Sequence, residues 1–221
     1  MAVSKLLCPS ILNLPIEGLK EEILEIDQSG IDIFHIDIMD GMFVPNFGMG
    51  IREIDLIRRL TDKPLDCHMM VMEPGRYIQL LADHGADILY IHPETERIPT
   101  ETIDHIRELG KKPGIAVNPC VSVETVKEML PIVDYVMILG VNPGYAGRAY
   151  LDYVTPKAKA LHDYRVNNNL SYHIVLDGGA DENVISNLYR NCGIEGFVLG
   201  KQVFFFQNKP YKECVEQVRS L

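Results

Sequence analysis

Apolar and polar positions along the chain switch period repeatedly. Short runs rich in β-branched and apolar residues alternate with longer stretches whose apolar residues recur every three or four positions. Lys5–Leu12 predicts a first strand, with Pro9 an odd residue for a central one. From Pro15 to Asp27, Ile16, Leu19, Ile23 and Ile26 mark one helical face, and Gly30 ends the pattern. His35–Gly41 predicts a second strand that breaks at the turn-favouring pair Asp40-Gly41, and Ile51–Leu60 a helix. Strands over Leu65–Val71, Ile88–His92 and Lys112–Val117 are each followed by a predicted helix, over Glu73–His84, Glu101–Leu109 and Val123–Leu130. The pattern continues with strands over Tyr135–Val141, His173–Asp177 and Gly196–Leu199, and helices over Leu151–Asn167, Glu182–Arg190 and Lys209–Arg219.

Strand and helix alternate eight times with short connections. Runs such as Ile88-Leu89-Tyr90-Ile91 are apolar on both faces, as parallel strands covered by helices must be. That number of repeats in 221 residues predicts one closed (β/α)8 (TIM) barrel over residues 1–221, with an open doubly wound sheet as the alternative. No linker, low-complexity tract or second domain interrupts it.

Composition narrows the partners. A net charge of −10 and a pI near 5.1 argue against nucleic acid, and they mean an anionic ligand must be held by local donors. No run reaches the roughly 18 uncharged apolar residues of a membrane span. Met1–Lys5 leads straight into the first strand without signal-peptide architecture. The five cysteines form no close pair and no metal-knuckle spacing, so a cytoplasmic protein with reduced thiols is expected.

In a parallel barrel every strand delivers its last residues to one rim, where active sites lie. Strand alternation puts His35, Asp37 and Met39 on one face, and the rim also receives Ser10, His68, Met70, His92, Leu139 and Asp177. Alone, the second strand is equally a solvated polar face. Two imidazoles and two carboxylates arriving from three strands form a mixed nitrogen and oxygen set suited to zinc, iron, cobalt or manganese. A separate signal comes from glycines after the last three strands: Asn142-Pro143-Gly144-Tyr145-Ala146-Gly147, Asp177-Gly178-Gly179 and Gly200. Backbone amides at such loops approach an anion closely, so a phosphorylated small substrate is expected. Met69 and Met137 are equally well read as gap-filling core.

The combination Pro9-Ser10-Ile11-Leu12, His35–Gly41 with Val44-Pro45-Asn46, Leu65–Met70, Val141–Tyr145 and Leu176–Gly179 resembles the ribulose-phosphate 3-epimerase family over nearly the whole chain. Phe34–Gly41, Pro64–His68 and His92-Pro93-Glu94-Thr95 resemble most the branch acting on D-allulose 6-phosphate; D-ribulose 5-phosphate, one carbon shorter, is the alternative substrate. The resemblance implies one divalent metal held by His35, Asp37, His68 and Asp177, with Asp37 and Asp177 the acid/base pair that inverts C3. It implies a pocket of Ser10, His68, Met39 and Met70, a phosphate site on Gly144, Gly147, Gly178, Gly179 and Gly200, and a homo-oligomer. A phosphosugar decarboxylase would want a lysine beside the carboxylates, and none follows Asp37 or precedes Asp177; a non-catalytic binder would need no carboxylate pair. The chain departs from the family pattern at Leu139, where a third methionine is usual, at Gly140 for serine or threonine, at Arg148 for glutamine and at Lys201 for serine. Arg148 and Lys201 are thereby expected to add cations beside the phosphate. Asp66, one step below His68 on the same strand face, is expected to accept that histidine's second ring N–H. The glycine-rich, aromatic loop after the sixth strand suits a lid.

Overall fold

A computed structural model describes residues 4–221; the first three residues of the predicted lead-in Met1–Lys5 lie outside the described residues. Among the described residues eight parallel strands form one sheet: β1 (Leu6–Pro9), β2 (Phe34–Met39), β3 (Leu65–Met70), β4 (Ile88–Ile91), β5 (Lys112–Val117), β6 (Tyr135–Leu139), β7 (His173–Asp177) and β8 (Gly196–Leu199). From β2 to β8 each strand pairs with the next in the chain, and β1 pairs with β8. The remaining seam, β1 to β2, closes through a parallel bridge between Ser10 and His35 and a bond from the Asp32 amide to the Leu7 carbonyl at 3.0 Å. The sheet is therefore a barrel, and the open-sheet alternative fails at this seam.

Among the described residues seven α-helices cover it: α1 (Leu19–Gln28), α2 (Ile51–Leu60), α3 (Ile78–Asp83), α4 (Pro99–Glu108), α5 (Thr155–Asn167), α6 (Glu182–Cys192) and α7 (Tyr211–Ser220). α1 buries Leu19, Ile23 and Ile26 of its marked face, while Ile16 lies before the helix and is exposed; Ile54 and Ile57 of α2 are fully enclosed, worth about 1.5–3 kcal/mol apiece. α6 is capped at both ends, by the Asp181 carboxylate accepting from the Val184 amide and by Gly193 in the left-handed region.

The predicted helix over Val123–Leu130 does not form; the described structure has two 3-10 turns, Val123–Thr125 and Leu130–Ile132. Three of its eight residues (Val123, Thr125, Val126) are β-branched, and Pro131 withholds the N–H that would carry a helix on. Two other helices are shorter at the front than their apolar pattern, where Pro74–Arg76 and Asp152–Val154 make 3-10 turns first.

Strand alternation separates two cores. Outward residues such as Ile36, Cys67, Leu89 and Ile138 pack under the helices. Inward ones (Cys8, Tyr90, Ala116, Met137, Val175 and Val198) fill the barrel below the rim. Met69 and Met137 are both fully buried in these layers, as gap-fillers. All five cysteines are free thiols, and among the described residues no helix is long and apolar enough to cross a membrane.

Candidate active site

The inward positions nearest the carboxyl ends of the strands line a cleft that is open to solvent at the rim. Its floor carries Asp37 from β2 and Asp177 from β7; β1 and β8 stand between those strands, so the carboxylates reach it from different sides. Behind them lie His35 and His68, both fully buried. One ligand atom from each of the four side chains can be chosen so that all lie within 4.8 Å of one another.

His35 Nε2 and His68 Nδ1 each lie 3.4 Å from Asp37 Oδ1, and His68 Nδ1 lies 3.3 Å from Asp177 Oδ2. Neither nitrogen has a hydrogen-bond partner although both are sealed from water. A buried polar atom left in that state costs about 1–3 kcal/mol. Donors about 2.1 Å from a common tetrahedral centre stand about 3.4 Å apart, and the three nitrogen–oxygen pairs above have that spacing, with all four atoms within 4.8 Å. The four residues therefore fit a divalent cation, and their mixed nitrogen and oxygen set matches a transition metal.

The electrostatics agree. Burial works against charge on both imidazoles, but Asp66 and Asp37 outweigh it and raise the His35 pKa well above its ordinary value; Asp177 and Asp37 do the same, less strongly, for His68. Burial works in the opposite sense on Asp37, whose pKa is nonetheless lowered by His35 and His68. The site thus demands positive charge among its carboxylates, from protons or from a cation. The other Asp37 oxygen, Oδ2, accepts a bond from Ser10 Oγ at 2.7 Å.

Asp66 does not take the partner expected of it. It is fully buried with Oδ1 2.5 Å from Nδ1 of His35, not His68, because the β2–β3 register sets Asp66 opposite His35. His68 instead meets His92, with Nε2 to Nε2 at 2.8 Å. His92 shares inward parity with Tyr90 on β4, and the sequence placed it at the rim on that strand end without naming its partner.

The upper walls are apolar on one side and glycine-rich on the other. Met39 and Met70 line the cleft and pack with Val44, Leu12 and Phe43; Leu139 lines it where a third methionine was expected. Gly144, Gly147, Gly178, Gly179 and Gly200 line the opposite part, and the first four have positive φ, at 101°, 80°, 91° and 71°. Arg148 lines the cleft too, its guanidinium 4.9 Å from the centre of the Tyr145 ring, and it forms no ion pair among the described residues. Lys201 does not line it. Its ammonium lies over Phe206 in a turn whose amides bond back to the Gly200 carbonyl, and Gln202 lines the cleft there. His35 and His68 lie beneath the lining residues, so His68 is enclosed behind the floor, not on the pocket surface. The loop after β6 is tied to the loop after β2 by bonds from Asn46 Nδ2 to the Gly144 carbonyl (2.7 Å) and from Tyr145 Oη to the Pro45 carbonyl (3.0 Å).

A single (β/α)8 barrel with two acidic side chains and a candidate cation site at its carboxyl rim is an enzyme architecture. The chain belongs to the ribulose-phosphate 3 epimerase family, whose profile matches residues 6–204, and so to a family of isomerases that convert phosphosugars. A ribulose-phosphate 3-epimerase of Synechocystis sp. is 38% identical over all of this chain and 95% of that protein, and one of Bacillus subtilis is 35% identical over 96% of each. Two solved structures share the fold: KGPDC from Streptococcus mutans (TM-score 0.72, 12% identity, 99% of this chain and 98% of that one) and 3-hexulose-6-phosphate synthase from Salmonella typhimurium (TM-score 0.68, 15% identity, 97% and 96%).

Proposed function

We propose that the chain inverts C3 of D-ribulose 5-phosphate, giving D-xylulose 5-phosphate, with Asp37 and Asp177 as the two proton carriers. The observation that carries this reading is the shared approach of both carboxylates to one nitrogen, His68 Nδ1, at 3.4 and 3.3 Å on the floor of one cleft. The names of the relatives support the pentulose over the hexulose. The second reading, epimerisation of D-allulose 6-phosphate to D-fructose 6-phosphate, is favoured by the segments Phe34–Gly41, Pro64–His68 and His92–Thr95.

The proton at C3 of a ketose phosphate is weakly acidic because C2 is a carbonyl. A divalent ion held by His35, Asp37, His68 and Asp177 (zinc, iron, cobalt or manganese) would supply Lewis-acid stabilisation of the negative charge that builds as this proton leaves. One aspartate removes the proton from one face of the sugar and the other returns a proton to the opposite face. Each contributes about 10²–10⁴-fold. Ser10, bonded to Asp37 Oδ2, fixes which oxygen of that carboxylate is free. The methionine side chains of Met39 and Met70 present polarisable, weakly accepting surface to an electron-rich intermediate. The amides of Gly144, Gly147, Gly178, Gly179 and Gly200, with Arg148, hold the phosphate and so anchor the sugar.

The test is incubation of the purified protein with each sugar in deuterated water, together with metal analysis. Deuterium enters C3 in the wild type and is lost in Asp37→Asn and in Asp177→Asn, and kcat/KM is higher on ribulose 5-phosphate. A higher kcat/KM on allulose 6-phosphate selects the second reading, and no deuterium on either sugar refutes both.

A further inference from the structure

The two histidines of the candidate metal site present different nitrogens to it. His35 offers Nε2 and His68 offers Nδ1. An imidazole binds a cation through a lone pair, so the proton of each ring must sit on its far nitrogen and needs an acceptor there. His35 has a carboxylate behind it, Asp66. His68 has only another imidazole, with its Nε2 2.8 Å from Nε2 of His92.

We propose that His92 is a positioning residue that accepts the Nε2 proton of His68 and so keeps His68 Nδ1 bare for the metal. This rests on reading the four-residue cluster as a metal site. Two ring nitrogens at that distance make a hydrogen bond only if one carries the proton and the other a lone pair. With the proton on His68 Nε2, His92 Nε2 is the acceptor and His92 carries its own proton on Nδ1. That nitrogen has no hydrogen-bond partner among the described residues; it faces Glu94 Oε1 at 3.7 Å, an attraction between charge and dipole beyond hydrogen-bond reach. In the reverse arrangement His92 Nε2 donates, a neutral His68 must carry its proton on Nδ1, and the lone pair that would bind the ion is gone.

The surroundings hold His92 for this task. It is fully buried, and its ring lies against Phe43 with centroids 4.8 Å apart. Its carbonyl is bound by the amide and hydroxyl of Thr95 at 3.0 and 2.9 Å. Glu94 Oε1 accepts from Asn118 Nδ2 at 2.6 Å, and Lys157 Nζ donates to the Asn118 and Pro119 carbonyls at 2.6 and 2.9 Å. The support behind His68 therefore runs across β3, β4 and the end of β5, whereas the support behind His35 is a single carboxylate on the adjacent strand.

The experiment compares zinc affinity, by competition with a chromophoric chelator at neutral pH, in the wild type, His92→Phe and His92→Gln. Phenylalanine fills the space without an acceptor; glutamine keeps a carbonyl oxygen that can take the His68 proton. Expected is a loss of about 10–100-fold for His92→Phe and recovery of most of it by His92→Gln. On the zinc-loaded wild type, nitrogen-15 spectra should show the His68 proton on Nε2, with a scalar coupling across the bond to His92 Nε2; this needs no variant to fold. Wild-type affinity in His92→Phe, equal losses in both folded variants, or a His68 proton on Nδ1 each overturns the proposal. A wild type that takes up no zinc, manganese, iron or cobalt fails the metal reading itself and this one with it.

Discussion

Gly140 is where the cleft is least forgiving. It follows β6, its amide donates to the Asp177 carbonyl at 2.7 Å, and its own carbonyl accepts from the Leu151 amide at 2.8 Å. A Cβ at this position would stand 2.3 Å from the Gly178 carbonyl oxygen and 2.8 and 3.1 Å from Cδ2 and Cε2 of Tyr150. Ordinary contact for such a pair begins at 3.4 Å, so Gly140→Ala must displace the β7 loop by about 1 Å. The loop has little room to yield, because Gly178 is itself wedged against Val141, where an added Cβ would meet Cγ2 at 2.4 Å. Overpacking of this kind costs about 1–3 kcal/mol. For a chain of this size that lowers Tm by about 2–12 °C. The catalytic effect should be larger than the stability effect, since the strain falls on the residue next to Asp177, and a 1 Å misplacement costs about 10²-fold in rate. Thermal unfolding and kcat/KM on ribulose 5-phosphate measure the two effects. Gly50→Ala is the control, its nearest neighbour being Glu53 Oε2 at 3.5 Å with an ordinary φ; it should change stability by no more than about 0.5 kcal/mol. A Gly140→Ala protein with wild-type Tm and kcat/KM would refute the reasoning.

Three further outcomes follow from the same geometry. Asp66→Asn keeps an acceptor for His35 Nδ1 but loses the charge, so metal affinity should fall by about tenfold; unchanged affinity in a chelator competition would remove Asp66 from the site. Arg148→Ala should raise KM for a phosphorylated ketose more than it lowers kcat, while Lys201→Ala should leave KM near the wild-type value; steady-state kinetics showing the reverse order would place the phosphate at the wrong end of the cleft. Burial raises the Asp40 pKa, but the amides of Met72, Met42 and Phe43 outweigh this and lower it from 3.8. A depressed carboxyl stabilises the fold above its unfolded pKa and loses that contribution as pH falls through the folded value. The stability gap between wild type and Asp40→Ala should therefore be constant near neutrality and shrink below about pH 3.8, as read from urea unfolding; a gap independent of pH in that range would show that the charge contributes nothing.

The barrel was legible because burial imposes two periods that the chain spells out. Strands sealed on both faces read as continuous apolar runs, and helices sealed on one face repeat every three or four residues. Inward parity within each strand was legible for the same reason, and it named His35, Asp37, His68 and Asp177 together. Segments without a period were not legible. Val123–Leu130 has apolar residues at usable spacing but is β-branched at its start and closed by Pro131, and in the turn after β8 no pattern says that Gln202 lines the cleft while Lys201 lies over Phe206.

Pairing between strands lies beyond any reading of one strand. Alternation states which face a side chain takes, while register states which neighbour it meets, and register is set by hydrogen bonds between segments distant in the chain. On parity alone Asp66 was assigned to His68; the β2–β3 register gives it to His35 and leaves His68 to His92. The amino-acid sequence thus determined the barrel and which side chains turn inward, because solvent exclusion acts residue by residue. Only the tertiary structure decided which of those side chains share a proton, because that depends on ångström distances set by the whole closed sheet.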